Sequence, residues 1–286
     1  MTRIIEKRQL SENVFRMKLE APLIARARKA GQFIILRVDA EWGERIPLTI
    51  ADADAEKGTI DIVFQTVGAS TRQLGLLAAG DSLADLVGPL GRPTDIRDYT
   101  TPARKGRVIV VGGGIGVAPA HPIAQAFKAA GNDVSVIMGA RTRELVIMEE
   151  EMRRVTDDVT VVTDDGSYGR KGLVTEPLVE MLKAASDGKD VDEVIVVGPP
   201  IMMKFAALAT KPFGVKTIAS LNAVMVDGTG MCGGCRVSVG GETKFVCVDG
   251  PEFDAHQVDF ENFILRLGAF KTEEKAHVCR SGIFGK

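Results

Sequence analysis

The chain has 286 residues, of which 45% are apolar and 26% charged, and its 36 basic and 38 acidic side chains leave a formal charge of −2. Such proportions exclude long disorder and, at about 150 residues per domain, predict roughly two domains. The balanced charge leaves no electrostatic footprint for nucleic acid or an anionic membrane as the main partner. The opening residues, Met1 to Gln9, break their apolar pairs with charges and lack the apolar core of a secretory signal. The longest apolar stretch, Val108 to Ala120, carries four glycines and falls short of the roughly 20 residues a membrane span needs. A cytoplasmic protein is expected.

From the start to about Asp98 the apolar runs are short and separated by turn residues: Ile4-Ile5, Val14 to Leu19, Phe33 to Val38, Thr59 to Phe64 and Leu83 to Val87. Several alternate apolar with polar, the period of half-buried antiparallel strands, and about six such strands predict a small β-barrel over residues 1–98. Within it, Arg45-Ile-Pro47-Leu48-Thr49 places a guanidinium, a rigid proline and a hydroxyl on one extended segment, and Gly68-Ala-Ser70-Thr71 ends a strand in a turn with two hydroxyls. An arginine fork with hydroxyls and bare amides suits a buried pyrophosphate, although each piece alone also reads as an ordinary strand or turn.

A polar bridge, Arg97 to Gly106, reads as a linker. Beyond it β-branched runs (Val108–Val111, Val134–Met138, Val159–Val162, Val194–Val197 and Thr217–Leu221) alternate with helical spacing at Ile123/Phe127/Ala130, Met148/Met152/Val155 and Leu178/Met181/Leu182. Alternating strand and helix predicts an α/β doubly wound parallel sheet over residues 106–221. After its first strand comes Gly112-Gly113-Gly114-Ile-Gly116-Val117-Ala118, a turn that lets backbone amides approach a pyrophosphate at a helix start. The full G-x-G-x-x-G spacing is absent, and a plain tight turn is the competing reading. Arg141 stands where an acid would favour NAD, so the choice between NAD(H) and NADP(H) is open from the residues. Two more loops that follow strands, at Asp164 and at Gly198-Pro199-Pro200, are expected on the ligand-binding side of the sheet.

An N-terminal barrel with Arg-x-Pro-x-Thr and Gly-x-Ser-Thr, then Gly88-Pro-Leu-Gly91, a Gly-Gly-Gly-x-Gly turn and a late Gly198-Pro-Pro resembles the ferredoxin–NADP reductase superfamily over about Thr2 to Leu221. The resemblance implies FAD held by Arg45, Pro47, Leu48, Thr49, Gly68, Ser70 and Thr71, with the flavin between the two domains. It also implies a nucleotide on Gly112, Gly113, Gly114, Gly116, Val117, Ala118, Arg141, Asp164, Gly198 and Pro199.

The last region, residues 222–286, is rich in glycine and cysteine and short on helical periodicity. It lacks a core of its own, so a metal centre or docking to the rest of the chain must hold it. Asp227-x₄-Cys232-x₂-Cys235, with Cys247 after eleven further residues, reproduces the C-x₄-C-x₂-C…C spacing of plant-type [2Fe–2S] sites with a carboxylate for the first thiolate. Gly228, Gly230, Gly233 and Gly234 suit a loop wrapped around a cluster with its amides turned to the sulfurs. Structural zinc on three thiolates and one other ligand is the rival, and a pair of inert buried cysteines is the plainest alternative. Cys279 reads as a free thiol or small hydrophobe.

A reductase-type body ending in this loop resembles the electron-transfer subunits of dihydroorotate dehydrogenase, which carry cysteine at the position of Asp227. With Asp227 and the following Val246-Cys-Val-Asp-Gly-Pro-Glu-Phe253, the likeness is nearer to the small subunits of NADH-dependent reduced ferredoxin:NADP⁺ oxidoreductases, and it covers the whole chain. That resemblance implies NAD(H), FAD and a [2Fe–2S] cluster in one chain of a flavin-based bifurcating enzyme. It implies a heterodimer with a larger flavin and iron–sulfur subunit, docked near residues 222–260, and ferredoxin as an indirect partner. A flavin belongs between a two-electron nicotinamide and a one-electron cluster because it trades in both. No side-chain triad is expected, and His121, His256 and His277 need no catalytic role. Alternatives are the electron-transfer subunit of a dihydroorotate or other substrate dehydrogenase, a flavin reductase with structural zinc, and a non-catalytic nucleotide-binding regulatory module.

Overall fold

Alternation organises the first half of the chain. In the computed structural model, which describes residues 2–41, 43–186 and 190–269, strands β1 (Thr2–Ser11), β2 (Val14–Glu20), β3 (Phe33–Arg37), β4 (Arg45–Asp54), β5 (Thr59–Gln65), β6 (Ser82–Leu83) and β7 (Asp85–Leu90) form one antiparallel sheet in the order β6-β1-β2-β5-β4-β3-β7. Met17 and Leu19 of β2 point inward, with Ile34, Leu36, Ile50, Ile60, Ile62 and Phe64, to fill the barrel core. β6 pairs with β1 at one edge of the sheet and β7 with β3 at the other, while only Ala84 separates β6 from β7. One segment therefore covers both edges, so the sheet nearly closes and leaves little edge exposed. Short helices α1 (Pro22–Ala27) and α2 (Ala69–Leu76) connect β2 to β3 and β5 to β6.

The second half alternates strand and helix: β8 (Arg107–Gly113), α3 (Val117–Ala129), β9 (Asp133–Ala140), α4 (Glu149–Val155), β10 (Val159–Thr163), β11 (Arg170–Lys171), α5 (Thr175–Ala184), β12 (Glu193–Val197), α6 (Pro200–Thr210) and β13 (Lys216–Ser220). The strands run parallel in the order β11-β10-β9-β8-β12-β13. Val108 to Val111 and Val194 to Val196 are fully buried, because helices cover both faces of the sheet.

The C-terminal region docks on that sheet. It contributes a hairpin, β14 (Arg236–Val239) with β15 (Glu242–Phe245), a single helical turn α7 (Val246–Asp249), the strand β16 (Glu252–Asp254) and the helix α8 (Phe260–Leu267). β16 pairs antiparallel with β13 and so extends the otherwise parallel sheet by one edge strand. Helix α8 departs from the expectation of little helical periodicity. Asp259 caps it by accepting from the Asn262 amide at 3.0 Å, and Phe260, Phe263 and Leu267 join the core shared with Met203 and Ala206 of α6. Cys279 and His277 lie outside the described residues. Among the described residues no helix is long and apolar enough to cross a membrane.

The barrel and the sheet share a core. Val14, Ala51 and Val63 of the barrel pack with Val117, Ala118 and Phe127 of α3. Arg16 on β2 pairs with the buried Asp61 and reaches Glu151 on α4 at 3.2 Å, which links the two halves through charge. His121 lies buried in this interface, with its Nδ1 3.4 Å from the Ala51 carbonyl. Burial lowers its pKa, favouring a neutral ring there.

Candidate functional site

A cleft of about 1890 Å³ opens between the barrel and the carboxyl ends of the parallel strands. Single ligand pockets run to roughly 300–1,000 Å³, so this volume has room for two nucleotides. Pro47, Leu48 and Thr49 line its barrel side with Phe33 and Gln65; Gly113, Gly114, Gly116, Ala118, Arg141, Asp164, Gly198 and Pro199 line the sheet side; Asn222, Met225 and Pro251 of the C-terminal region close one end. Register explains the barrel wall. Phe33 lies opposite Thr49 and Ile35 opposite Pro47, so Phe33, Pro47 and Thr49 share a face, while Leu48, opposite Ile34 on the other face, packs against the barrel core and still borders the cleft. Phe33 and Met225 escaped the sequence reading because they carry no local motif, whereas Gln65 and Pro251 lie in motifs already noted and gain a place in the cleft wall only through tertiary packing.

The remaining barrel candidates stand outside the lining. Ser70 Oγ donates to Glu44 Oε2 at 2.6 Å, which joins the two barrel motifs one residue from Arg45. The Thr71 hydroxyl serves its own helix: it accepts from the Gly68 amide at 3.0 Å and donates to the Gly68 carbonyl at 3.1 Å.

The glycine turn has two jobs. Gly112 and Gly116 are packing glycines: a Cβ on Gly116 would fall 2.3 Å from the Val197 carbonyl oxygen, and one on Gly112 would meet Val117 at 3.0 Å. Gly114 is different. With φ +55° and nothing within 4 Å of its missing Cβ, it leaves the cleft open above the turn. Of the cations and acids near the nucleotide loops, Arg143 lies over the Tyr168 ring at 5.4 Å and Asp165 accepts from Ser167 at 2.9 and 2.7 Å. Arg141 and Asp164 face the cleft.

The cysteine loop begins two residues after the cleft-lining Met225. Its four candidates fall into two pairs. Cys235 and Cys247, both buried, bring their sulfurs to 3.2 Å. Cys232, exposed, lies 3.3 Å from Asp227 Oδ1. Among the described residues no three His, Cys, Asp or Glu side chains converge as a single-ion site would require. Two pairs match a two-iron centre, in which each iron takes two protein ligands.

The chemistry of the donors fits such a group. Burial first, then the adjacent Cys235, pushes the Cys247 thiol up to about 12; a cation bound there would instead stabilise both thiolates. Burial would raise the Asp227 carboxyl, but hydrogen bonds from Cys232, from the Thr229 amide and hydroxyl and from the Met231 amide outweigh it and hold the carboxyl down at about 2. Amides turn towards sulfur, Gly234 N lying 3.4 Å from Cys232 Sγ and Cys247 N 3.5 Å from Cys235 Sγ.

A barrel and a nucleotide sheet that meet at one cleft, with a cysteine loop beginning beside it, define a pyridine-nucleotide oxidoreductase built to carry electrons. Residues 110–207 match the oxidoreductase NAD-binding domain, and residues 222–259 match the iron–sulfur cluster binding domain of dihydroorotate dehydrogenase B. The chain is 44% identical to a dihydroorotate dehydrogenase B electron transfer subunit homolog of Thermotoga maritima, over 96% of this chain and 93% of that one. It is 33% identical to the electron transfer subunit of dihydroorotate dehydrogenase B from Streptococcus mutans, over 89% and 96% of the two chains. A chain from the structure of an NADH-dependent reduced ferredoxin-NADP oxidoreductase, solved in the context of flavin-based electron bifurcation, superposes with a TM-score of 0.88 at 42% identity, covering 98% of this chain and 97% of that one. The chain belongs to the family of dihydroorotate dehydrogenase B electron-transfer subunits and their homologues.

Proposed function

We propose that this chain is the FAD- and [2Fe–2S]-carrying subunit of a flavin-based bifurcating NADH-dependent ferredoxin:NADP⁺ oxidoreductase, exchanging electrons between NAD(H) and a larger flavin and iron–sulfur partner. When bound, the flavin exchanges a hydride with the nicotinamide and single electrons with the cluster. The polypeptide's work is placement. Pro47, Leu48 and Thr49 wall the flavin side, with Arg45, Gly68, Ser70 and Thr71 grouped at its edge. Gly113, Gly114 and the start of α3 present amides to the dinucleotide, and Asp227, Cys232, Cys235 and Cys247 hold the cluster.

One observation carries this reading. The loop bearing Asp227 packs on β3, the strand whose Phe33 walls the cleft, so electrons have a short route from cleft to cluster. Two features support the bifurcating enzyme: the likeness to that oxidoreductase over 98% of the chain, and Asp227 where dihydroorotate dehydrogenase subunits carry cysteine. The family also favours a second reading, an electron-transfer subunit for dihydroorotate or another substrate dehydrogenase. Anaerobic purification of the native complex decides between them. A larger flavin and iron–sulfur subunit whose complex couples NADH, ferredoxin and NADP⁺ supports the first; copurification of a dihydroorotate-oxidising subunit establishes the second.

A further inference from the structure

The carbonyls of the residues flanking the buried Cys235 are held by guanidinium groups. Arg236 Nη1 donates to the Gly233 carbonyl at 3.1 Å. Arg266, in the last turn of α8, donates through Nη2 to the Gly234 carbonyl and through Nε to the Arg236 carbonyl, both at 3.2 Å. Its fork therefore spans the two residues flanking Cys235. Three carbonyls of the Cys232–Arg236 segment end on guanidinium groups, while its Gly234 amide points to sulfur.

Among the described residues neither arginine forms an ion pair, while Glu261 at the start of α8 takes Lys204 and Asp249 takes Arg92. A guanidinium carries a fixed positive charge on a planar fork, and here two are held against the backbone of the cluster loop without a neutralising partner.

We propose that Arg266, assisted by Arg236, is a positioning residue that raises the reduction potential of the iron–sulfur centre held by Asp227, Cys232, Cys235 and Cys247. The inference rests on the cluster assignment above. Gaining one electron adds a unit of negative charge to the centre and breaks no bond. A fixed positive charge close by stabilises the reduced form, and amides aimed at the sulfurs act in the same direction; net charge, hydrogen bonds to sulfur and exposure are the levers that set such potentials. Arg266 supplies two at once, because gripping these carbonyls also holds the amides in place. Arg236 is exposed, so water and salt screen its charge more strongly.

The test compares Arg266→Gln, Arg266→Lys and Arg236→Gln in the full-length holoprotein. Iron and flavin per chain are measured, and a redox titration is followed by the electron paramagnetic resonance of the reduced cluster. Arg266→Gln is expected to retain iron and shift the reduction equilibrium about tenfold against the reduced cluster, or ~59 mV for one electron. Arg236→Gln should shift it less, in the same direction, and Arg266→Lys, which keeps the charge but loses the fork, should shift it less than Arg266→Gln. Unmoved potentials in iron-replete Gln variants would overturn the proposal. So would equal drops for Lys and Gln at position 266, which would make bond geometry rather than charge the cause. Iron loss from Arg266→Gln with an unmoved potential in Arg236→Gln would also overturn it, leaving only a structural role. Lack of iron in the unmutated protein, by contrast, would overturn the cluster assignment itself.

Discussion

Gly228 lies flat against Ile35. A Cβ on Gly228 would sit 2.8 Å from Ile35 Cγ1 and 3.1 Å from Leu90 Cδ1, and its backbone has φ +74°. Gly228 follows Asp227 directly, and Ile35 stands two residues from Phe33, on the same face of β3, so the cysteine loop packs beside the wall of the cleft.

Gly228→Ala tests this contact. The left-handed backbone and the collision both oppose a side chain, at a cost of about 1–3 kcal/mol. The loop is expected to lift from β3, with iron per chain falling and flavin retained. Metal analysis and the flavin spectrum read the two separately.

Gly116→Ala tests the nucleotide turn. Its Cβ would strike the Val197 carbonyl and the Gly198 backbone, driving apart the turns that follow β8 and β12. NADH affinity should weaken about tenfold or more, ~1.4 kcal/mol, while iron and flavin contents hold. Titration with NADH under anaerobic conditions, followed at the flavin band, measures it.

Substitution of the proposed cluster ligands separates the two pairs. Cys235→Ala leaves Cys247 without its buried partner and should abolish the cluster while FAD remains. Asp227→Cys restores the all-thiolate set and should retain the cluster at an altered potential. Iron content and the spectrum of the reduced cluster check both.

Glu252 predicts a dependence of stability on pH. Burial is the main cause that pushes its carboxyl up from 4.5 to about 7, against the pull of the Thr94 hydroxyl, which donates to it at 2.7 Å, with Glu193 raising it and Lys216 lowering it. The folded state thus binds this proton more tightly than the unfolded chain. The contribution is fully present below about pH 4.5 and lost as pH rises through about 7, and is worth up to ~3 kcal/mol. Glu252→Gln keeps a neutral acceptor for Thr94, so it should flatten this component and raise the melting temperature relative to wild type at pH 8. Thermal melts of both proteins across this range check the sign.

Local pattern explains which features were legible from the residues. Met17 and Leu19 alternate with Arg16 and Lys18, so β2 could be read directly, and the valine runs of β8 and β12 announced a covered parallel sheet. The cysteine spacing was legible for the same reason, since three of its four positions lie within nine residues. Other features were set by distant partners. The three-residue β16 exists because β13 offers it an edge, and α8 packs its few apolar residues on α6 rather than displaying a long period. The Gly-x-Ser-Thr motif did not reveal the work of its hydroxyls: Thr71 turns back on Gly68 within the motif, and Ser70 meets Glu44 only on folding.

The most direct test of the central claim is a visible spectrum of the anaerobically purified full-length protein with flavin, iron and acid-labile sulfide quantified on the same sample. One FAD with about two irons and two sulfides per chain is the predicted result. Zinc in place of iron, or flavin without sulfide, would contradict the relay from cleft to cysteine loop.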